Sequence, residues 1–101
     1  MNKYTLVITE EFINMLYFTL SPMLNISRSY VNLIHAETLY YLEILKQFPD
    51  MFSIFEIPIN NIYYKKIVLE KRYLIIYSIK SNSIYIHYFI DARRNPNNYL
   101  I

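Results

Sequence analysis

The sequence of 101 residues contains neither glycine nor cysteine, and each absence excludes a kind of site. Without cysteine the chain can form no disulfide and no thiolate metal site, which is typical of proteins in the reducing cytoplasm. Without glycine it can form no glycine-rich phosphate-binding loop. Its tight turns must therefore use Asn, Ser, Asp or Lys.

Long apolar runs are absent as well. No stretch approaches the roughly 18 apolar residues that span a membrane. Thr9, Glu10 and Glu11 interrupt the N-terminal apolar stretch too early for a signal peptide. We therefore predict a cytoplasmic protein without a membrane partner, and its length fits a single domain over residues 1–101.

Metal ligands are scarce. The two histidines, His35 and His87, lie in different predicted elements and have no paired carboxylates at ligand spacing. We expect no metal and no cofactor. The sequence also shows no nucleophile beside a general base, and a histidine within a strand, such as His87, is more often structural than catalytic.

Apolar residues make up 54% of the chain, and 12 residues are tyrosines. A core of this size cannot bury so many rings with every hydroxyl satisfied, so some must lie on the surface, as is typical of interfaces. A bias of an AT-rich genome towards Ile, Asn, Lys and Tyr would give the same composition.

The net charge is +2, but the charges are unevenly distributed. Acidic residues cluster in the first 60 positions, whereas most basic residues follow them. This asymmetry predicts a basic surface for an anionic partner, or else lysines that protect a sheet edge. The basic residues concerned are Lys65, Lys66, Lys71, Arg72, Lys80, Arg93 and Arg94.

The first half of the chain predicts one strand and two helices. A short strand covers Tyr4 to Thr9, and Thr9 is the predicted N-cap of a helix that ends near Leu20. Ser21-Pro22 then breaks the pattern, with Ser21 as the predicted cap of the second helix. That helix is predicted from Met23 or Asn25 to Gln47, and the two form a helical hairpin.

The second half predicts an irregular segment from Phe48 to Asn61 and then three strands. The connections are short enough to force antiparallel hairpins, and Asn82 is the residue expected at positive φ. The sequence therefore predicts an α+β fold in the order β-α-α-β-β-β, with an antiparallel sheet packed against the N-terminal helical hairpin. The predicted strands are Ile62–Leu69, Tyr73–Lys80 and Ser83–Ile90.

Four stretches carry a resemblance to a known family. They are SPMLNI (Ser21–Ile26), ILKQFPDM (Ile44–Met51), YYKKIVLEKRYLIIYSI (Tyr63–Ile79) and IYIHYFIDARRNPNNYL (Ile84–Leu100). Their order and spacing resemble the RelE/ParE superfamily of toxins from bacterial type II toxin–antitoxin modules, over nearly the whole chain. The resemblance implies a cytoplasmic toxin that inhibits growth and is neutralised by a cognate antitoxin.

The family has two activities. RelE-like members are ribosome-dependent, metal-independent endonucleases that cut mRNA, with cations that stabilise the charge developing on the phosphate. By resemblance Lys65, Arg94 and Tyr99 match their catalytic set. Ile67 and Leu74 stand where two further cations are expected, which argues against this activity.

A histidine with a glutamate replaces that set in other nuclease members. His87 with Glu70 or Glu56 would imitate that pair.

ParE-like members poison DNA gyrase instead. The segment from Asp91 to Pro96 keeps the arginine pair of a His-Gly-Arg-Arg-Asp pattern but not its other residues, which resembles the ParE-like branch. We therefore predict a ParE-like toxin that binds gyrase through Arg93, Arg94 and Lys65. The alternatives are a RelE-like endonuclease acting on the ribosome and mRNA, or a degenerate member that only binds its antitoxin.

The antitoxin is expected to cover exposed apolar surface on the helices or on an edge strand. The predicted contacts are Tyr17, Tyr40 and Tyr41 on the helices, with Tyr4 and Leu6 on the strand.

Overall fold

The computed structural model describes residues 4–56 and 58–94, and within these ranges the chain forms two α-helices and five β-strands. Short 3-10 turns cover Ser21–Asn25 and Ala92–Arg94. The strands and helices are β1 (Thr5–Ile8), α1 (Glu10–Leu20), α2 (Arg28–Leu45), β2 (Ser53–Ile54), β3 (Lys65–Leu69), β4 (Tyr73–Lys80) and β5 (Ser83–Asp91).

The strands form one sheet in the order β1-β5-β4-β3-β2. The strands β3, β4 and β5 are antiparallel neighbours, as predicted, and β2, which lies in the segment predicted to be irregular, is antiparallel to β3. The strand β1 runs parallel to β5, with Thr5 opposite Ser83 and Ile8 opposite Ile86. The prediction of a wholly antiparallel sheet is therefore wrong, and the fold is a small α+β fold with a mixed sheet. Hairpin turns fix the direction of β3, β4 and β5, whereas no local signal fixes the partner of β1.

Each helix begins at a side-chain cap. Thr9 Oγ1 accepts a hydrogen bond from Phe12 N at 3.1 Å and donates one to Ile86 O at 2.8 Å, so the predicted cap also ties α1 to β5. The cap of α2 is Ser27, whose Oγ accepts from Tyr30 N at 3.1 Å. The predicted cap at Ser21 is wrong because Ser21 continues α1 with helical backbone angles, whereas Ser27 has the extended backbone that a cap requires.

Non-glycine residues occupy the left-handed region in the turns. In the β4–β5 turn this residue is Ser81, with φ of 56°, and not Asn82 as predicted; in the β3–β4 turn they are Glu70 and Lys71. A side chain in this region carries a cost of roughly 1–2 kcal/mol that glycine avoids.

Ser81→Gly is therefore expected to raise the free energy of unfolding by about 0.5–1 kcal/mol. Urea unfolding followed by circular dichroism would measure this. The matched control is Asn82→Gly, because Asn82 has no positive φ; it should leave stability unchanged or lower it. Equal gains from both substitutions would contradict the assignment of the strain to Ser81.

Both faces of the sheet carry buried side chains. Between the sheet and the helices lies a core that includes Phe12, Ile34, Tyr73, Tyr77 and Phe89. The opposite side, called here the outer face, carries a smaller cluster of Phe55, Leu74, Ile76 and Ala92, which the segment between β2 and β3 helps to cover. Residues 73–77 of β4 are consequently buried without alternation.

Neither α1 nor α2 is long and apolar enough to cross a lipid bilayer, and no other helix of the described residues is.

Candidate functional site

His87 lies at an irregularity of the sheet. In the pairing of β4 with β5, Ile76 of β4 lies opposite Tyr88 and the next residue, Tyr77, lies opposite Ile86. His87 is therefore an extra residue in β5 without a partner position in β4. Such bulges redirect side chains and are frequent beside functional sites. Here the bulge places the imidazole on the outer face.

Four side chains surround this imidazole, and together with it we call them the His87 cluster. Ser78 Oγ lies 2.7 Å from His87 Nε2. The ring of Tyr85 stacks on the imidazole with centroids 6.2 Å apart, and Tyr64 meets it edge-on at 5.1 Å. Tyr88 is tilted against it at 5.8 Å. All five side chains are half-buried, so the cluster presents a polar, ring-lined surface.

Burial lowers the pKa of His87, and the nearby Glu11 carboxylate only partly opposes this effect. The imidazole is therefore neutral near pH 7 and can accept a proton. Burial also raises the pKa of Tyr88, with Glu11 and Tyr64 adding to the increase. The cluster can thus accept a proton at His87, whereas Tyr88 keeps its proton, and none of the five residues supplies a positive charge when His87 is neutral.

The lowered pKa of His87 predicts a pH dependence of folding. The unfolded chain binds a proton at its ordinary pKa of 6.5, whereas the folded chain binds it only at lower pH. The stability contributed by the neutral imidazole is therefore present above the unfolded pKa and lost as the pH falls through the folded one. Urea unfolding between about pH 7.5 and pH 5 should give a flatter profile for His87→Gln than for the unmodified protein.

The matched control is His35→Gln, which removes the other histidine and keeps His87. If the free energy of unfolding changed equally with pH in the unmodified protein and in His87→Gln, the predicted contribution of His87 would be contradicted.

The basic side chains of the sheet are held by partners within the fold. Lys65 Nζ donates to Phe52 O at 2.9 Å. The Lys66 ammonium is buried and lies 3.6 Å from a Glu56 carboxylate oxygen. These two lysines alternate between the sheet faces, with Lys65 on the helix side and Lys66 on the outer face.

Arg72 and Arg93 share one carboxylate. The Arg72 guanidinium lies 3.4 Å from Asp91 and packs over the rings of Tyr30 and Tyr73. Arg93 Nε lies 3.9 Å from the same carboxylate, and the Arg93 side chain is 62% exposed. Arg93 is therefore the predicted target-binding arginine that the structure places on the surface.

Of the predicted catalytic residues, Lys65 and His87 lie on opposite faces of the sheet, with Lys65 towards the helices and His87 outward. Arg93, a predicted target-binding residue, lies beyond the end of β5, roughly 15–20 Å along the strand from His87. The side chain of Arg94 and the whole of Tyr99 lie outside the described residues.

The two positions where cations were expected are also separated. Ile67 belongs to the core beneath the helices, and Leu74 belongs to the outer-face cluster. Cations at these two positions could not reach one phosphate from the same side.

The predicted glutamate partners of His87 lie elsewhere. Glu56 pairs with Lys66. Glu70 lies beside Glu37, whose pKa is raised by burial and then by the hydrogen bond and charge of Glu70. The carboxylate that influences His87 is Glu11, which sequence reasoning missed because it reaches the cluster through the packing of α1 on β5.

Ser78 was also missed, although a signal existed. The short Ser81-Asn82 turn sets the register of β4 and β5 and places Ser78 opposite Tyr85, on the same face as His87.

The helices leave apolar side chains exposed. Two predicted antitoxin contacts, Tyr17 and Tyr40, are 61% and 63% exposed. Tyr41 is half-buried and packs edge-on against Phe52 at 5.8 Å. Tyr4 and Leu6, at the β1 edge, are half-buried against the main core. The other large apolar side chains exposed on or beside the helices are Ile13, Phe18, Leu24, Ile26, Leu33, Leu39, Phe48 and Met51.

Among residues 4–56 and 58–94, no group of three His, Asp or Glu side chains is arranged to hold a metal ion. Comparison with protein-family models, curated proteins and solved structures finds no match for the chain.

Proposed function

We propose that the protein is the toxin component of a type II toxin–antitoxin module, a ParE-like member of the RelE/ParE superfamily that binds DNA gyrase and is neutralised by an antitoxin. The observation that carries this proposal is the apolar surface left exposed on α1 and α2, including Tyr17 and Tyr40. A domain this small rarely exposes so many large apolar side chains unless a partner covers them. The element order, with a helical hairpin on one face of the sheet, supports the same family.

Binding is favoured over catalysis because the cations of the sheet do not converge. Lys65 is bonded to a backbone carbonyl, and Lys66 is buried against Glu56. A phosphoryl-transfer site needs several cations aimed at one developing charge. The exposed Arg93 is instead suited to a carboxylate on a protein partner, because its planar guanidinium can bond in a bidentate manner.

A supercoiling assay with purified gyrase tests the proposal. We expect inhibition at micromolar protein, and Arg93→Ala should weaken it by about tenfold, as loss of one charge-assisted contact does. Lys80→Ala, which removes an exposed cation from β4, is the matched control and should not change it. Supercoiling that proceeds normally at micromolar protein would overturn gyrase as the target.

A second candidate, the metal-independent mRNA endonuclease, is favoured by the Ser78–His87 contact of 2.7 Å. The neutral imidazole could act as a general base towards a ribose hydroxyl. Toeprinting on translating ribosomes would show cleavage, and His87→Gln should lower its rate by about 10²–10⁴-fold. Intact mRNA after incubation with the unmodified protein would exclude this function.

Expression of the protein in cells without an antitoxin distinguishes gyrase inhibition and mRNA cleavage, which are both toxic, from a loss of toxicity. Growth arrest is expected if the protein is an active toxin. Normal growth would instead indicate a member that binds its antitoxin and has lost toxicity.

A further inference from the structure

Ser78 and His87 form a pair of side chains between neighbouring strands of the sheet. Ser78 lies in β4 and His87 in β5, and Ser78 Oγ is 2.7 Å from His87 Nε2. In the tautomer that carries its hydrogen on Nδ1, the imidazole accepts the hydroxyl hydrogen at Nε2. A serine hydroxyl within hydrogen-bond reach of a histidine base is the arrangement from which covalent catalysis by serine starts.

The pairing of β4 with β5 brings the imidazole to the serine. Tyr85 lies directly opposite Ser78, and His87 follows it by two positions on the same face. Diagonal neighbours of this kind are about 7–8 Å apart, which long side chains can bridge. Both residues belong to strands and not to a loop, so the sheet holds the two reacting groups in place before a substrate arrives.

The protonation of the imidazole suits a general base. Burial lowers the pKa of His87, so its ring is neutral near pH 7 and can take the serine proton. The Glu11 carboxylate acts in the opposite sense and favours the protonated ring. It would therefore stabilise the imidazolium that forms during the reaction, which is the electrostatic part of what the carboxylate does in a serine–histidine–carboxylate triad.

The surrounding rings indicate the class of substrate. The rings of Tyr64, Tyr85 and Tyr88 contact the imidazole, and their phenol groups can donate hydrogen bonds to a carbonyl oxygen on which negative charge develops. The charged residue that acts on both His87 and Tyr88 is Glu11, an acid. An uncharged ester is therefore favoured over a phosphate or a carboxylate.

We propose that Ser78 is the nucleophile and His87 the general base of an acyl-transfer site that takes uncharged carboxylic esters. Ser78 Oγ bonds to the ester carbonyl carbon while its proton passes to His87 Nε2. The bond from that carbon to the alcohol oxygen breaks, and His87 gives the proton to the leaving alcohol. Water then attacks the acyl-serine with His87 as base, which releases the carboxylic acid and restores the Ser78 hydroxyl.

This activity goes beyond the proposed function. Gyrase binding uses Arg93, at the far end of β5, and needs neither Ser78 nor His87. In the mRNA cleavage considered above, a ribose hydroxyl attacks and Ser78 forms no covalent bond.

Two reagents test the inference on the full-length protein. With p-nitrophenyl acetate we expect release of p-nitrophenol and an acetyl group on Ser78, located by mass spectrometry after digestion. An uncharged fluorophosphonate should form a lasting bond from Ser78 Oγ to phosphorus, with loss of fluoride. The p-nitrophenyl hemisuccinate, which carries a carboxylate, should react about tenfold more slowly than the acetate.

Variants identify the base. His87→Gln should slow labelling of Ser78 by the fluorophosphonate about 10²–10⁴-fold, as loss of a general base does. The labelling rate of the unmodified protein should rise with pH through the lowered pKa of His87 and level off above it. Ser83→Ala, which removes another half-buried serine of β5, and His35→Gln are the matched controls and should leave the rate unchanged.

Three results would overturn the inference: no adduct on Ser78 of the folded protein, equal labelling of Ser78 in urea, or labelling that His87→Gln does not slow. A faster reaction with the hemisuccinate than with the acetate would overturn the class of substrate. The first two results are obtained with the unmodified protein, so they do not depend on the folding of any variant, which circular dichroism would check.

Discussion

Leu74→Arg should lower the free energy of unfolding by about 4–5 kcal/mol, which is most of the stability of many small domains. Leu74 is completely buried on the outer face, beside Phe55, Ile76 and Ala92. A guanidinium there would lose its hydration without gaining a partner. The buried Lys66 ammonium, on the same face of the adjacent strand, would add repulsion.

Val68→Arg is the matched control, because Val68 lies directly opposite Leu74 in β3 and is 40% exposed. It should cost less than about 1 kcal/mol, whereas Leu74→Arg should lower the melting temperature by roughly 20 °C. Thermal melts followed by circular dichroism would measure both. Similar melting temperatures for the two variants would show that the outer face is open at Leu74.

This result bears directly on catalysis. Leu74 stands where the family resemblance places an arginine of the nuclease, and Leu74→Arg would restore it. Because Ile67 lies on the opposite face, even the double restoration Ile67→Lys/Leu74→Arg would not aim two cations at one phosphate. We expect no mRNA cleavage from either variant, and cleavage gained by Leu74→Arg would contradict the proposed ParE-like function.

Tyr77→Ala is expected to cost about 3–5 kcal/mol, the second-largest effect. The ring is completely buried and packs edge-on against Phe52 at 6.5 Å. The hydroxyl donates to Pro49 O at 2.6 Å and so fastens the chain that leaves α2 to the centre of the sheet. Alanine would leave a cavity and remove the donor of a buried carbonyl.

Tyr77→Phe separates the two contributions. It keeps the ring and removes the hydroxyl, so it should cost about 1–3 kcal/mol. Tyr17→Phe, the same change at an exposed ring, should cost almost nothing. Urea unfolding of the three variants would measure the series, and a Tyr77→Phe protein as stable as the unmodified one would show that the hydrogen bond contributes nothing.

Alkaline pH offers a second measurement on the same residue. Burial raises the pKa of Tyr77, and burial likewise raises the pKa of Tyr73 to about 12. The unfolded chain therefore loses these protons near its ordinary pKa of 10.0, before the folded chain does. The stability that the two protonated tyrosines contribute is therefore fully present below pH 10.0 and is lost as the pH rises above that value. The free energy of unfolding of Tyr77→Phe should fall less steeply with rising pH than that of the unmodified protein.

Local patterns predicted much of the fold. The bounds of β4 match the prediction, and so does the capping of α1 by Thr9, because turn residues and caps are encoded within a few positions. The five consecutive apolar and aromatic residues at 73–77 could also have indicated that β4 is covered on both faces. The prediction placed helices on one face and left the covering of the other face unexamined.

The remaining errors concern contacts between distant segments. The parallel pairing of β1 with β5 joins residues nearly 80 positions apart, and the two-residue strand β2 exists only through its bonds to β3. Glu11 reaches His87 only after α1 has packed on β5. No spacing within the sequence encodes these approaches, so the candidate site could be foreseen at His87 and Ser78 but not at Glu11.

The position of β1 beside β5 also sets the order in which the sheet can be completed. Thr5 N bonds to Asn82 O, and the pairing extends to Ile8 and Ile86. While the chain is being synthesised, β1 has no neighbour until the last strand exists, and β4 likewise keeps an open edge. Long-range closures of this kind are slow to form, and open strand edges invite pairing with other chains. A chain interrupted before β5 should therefore aggregate instead of folding to a smaller version of the domain.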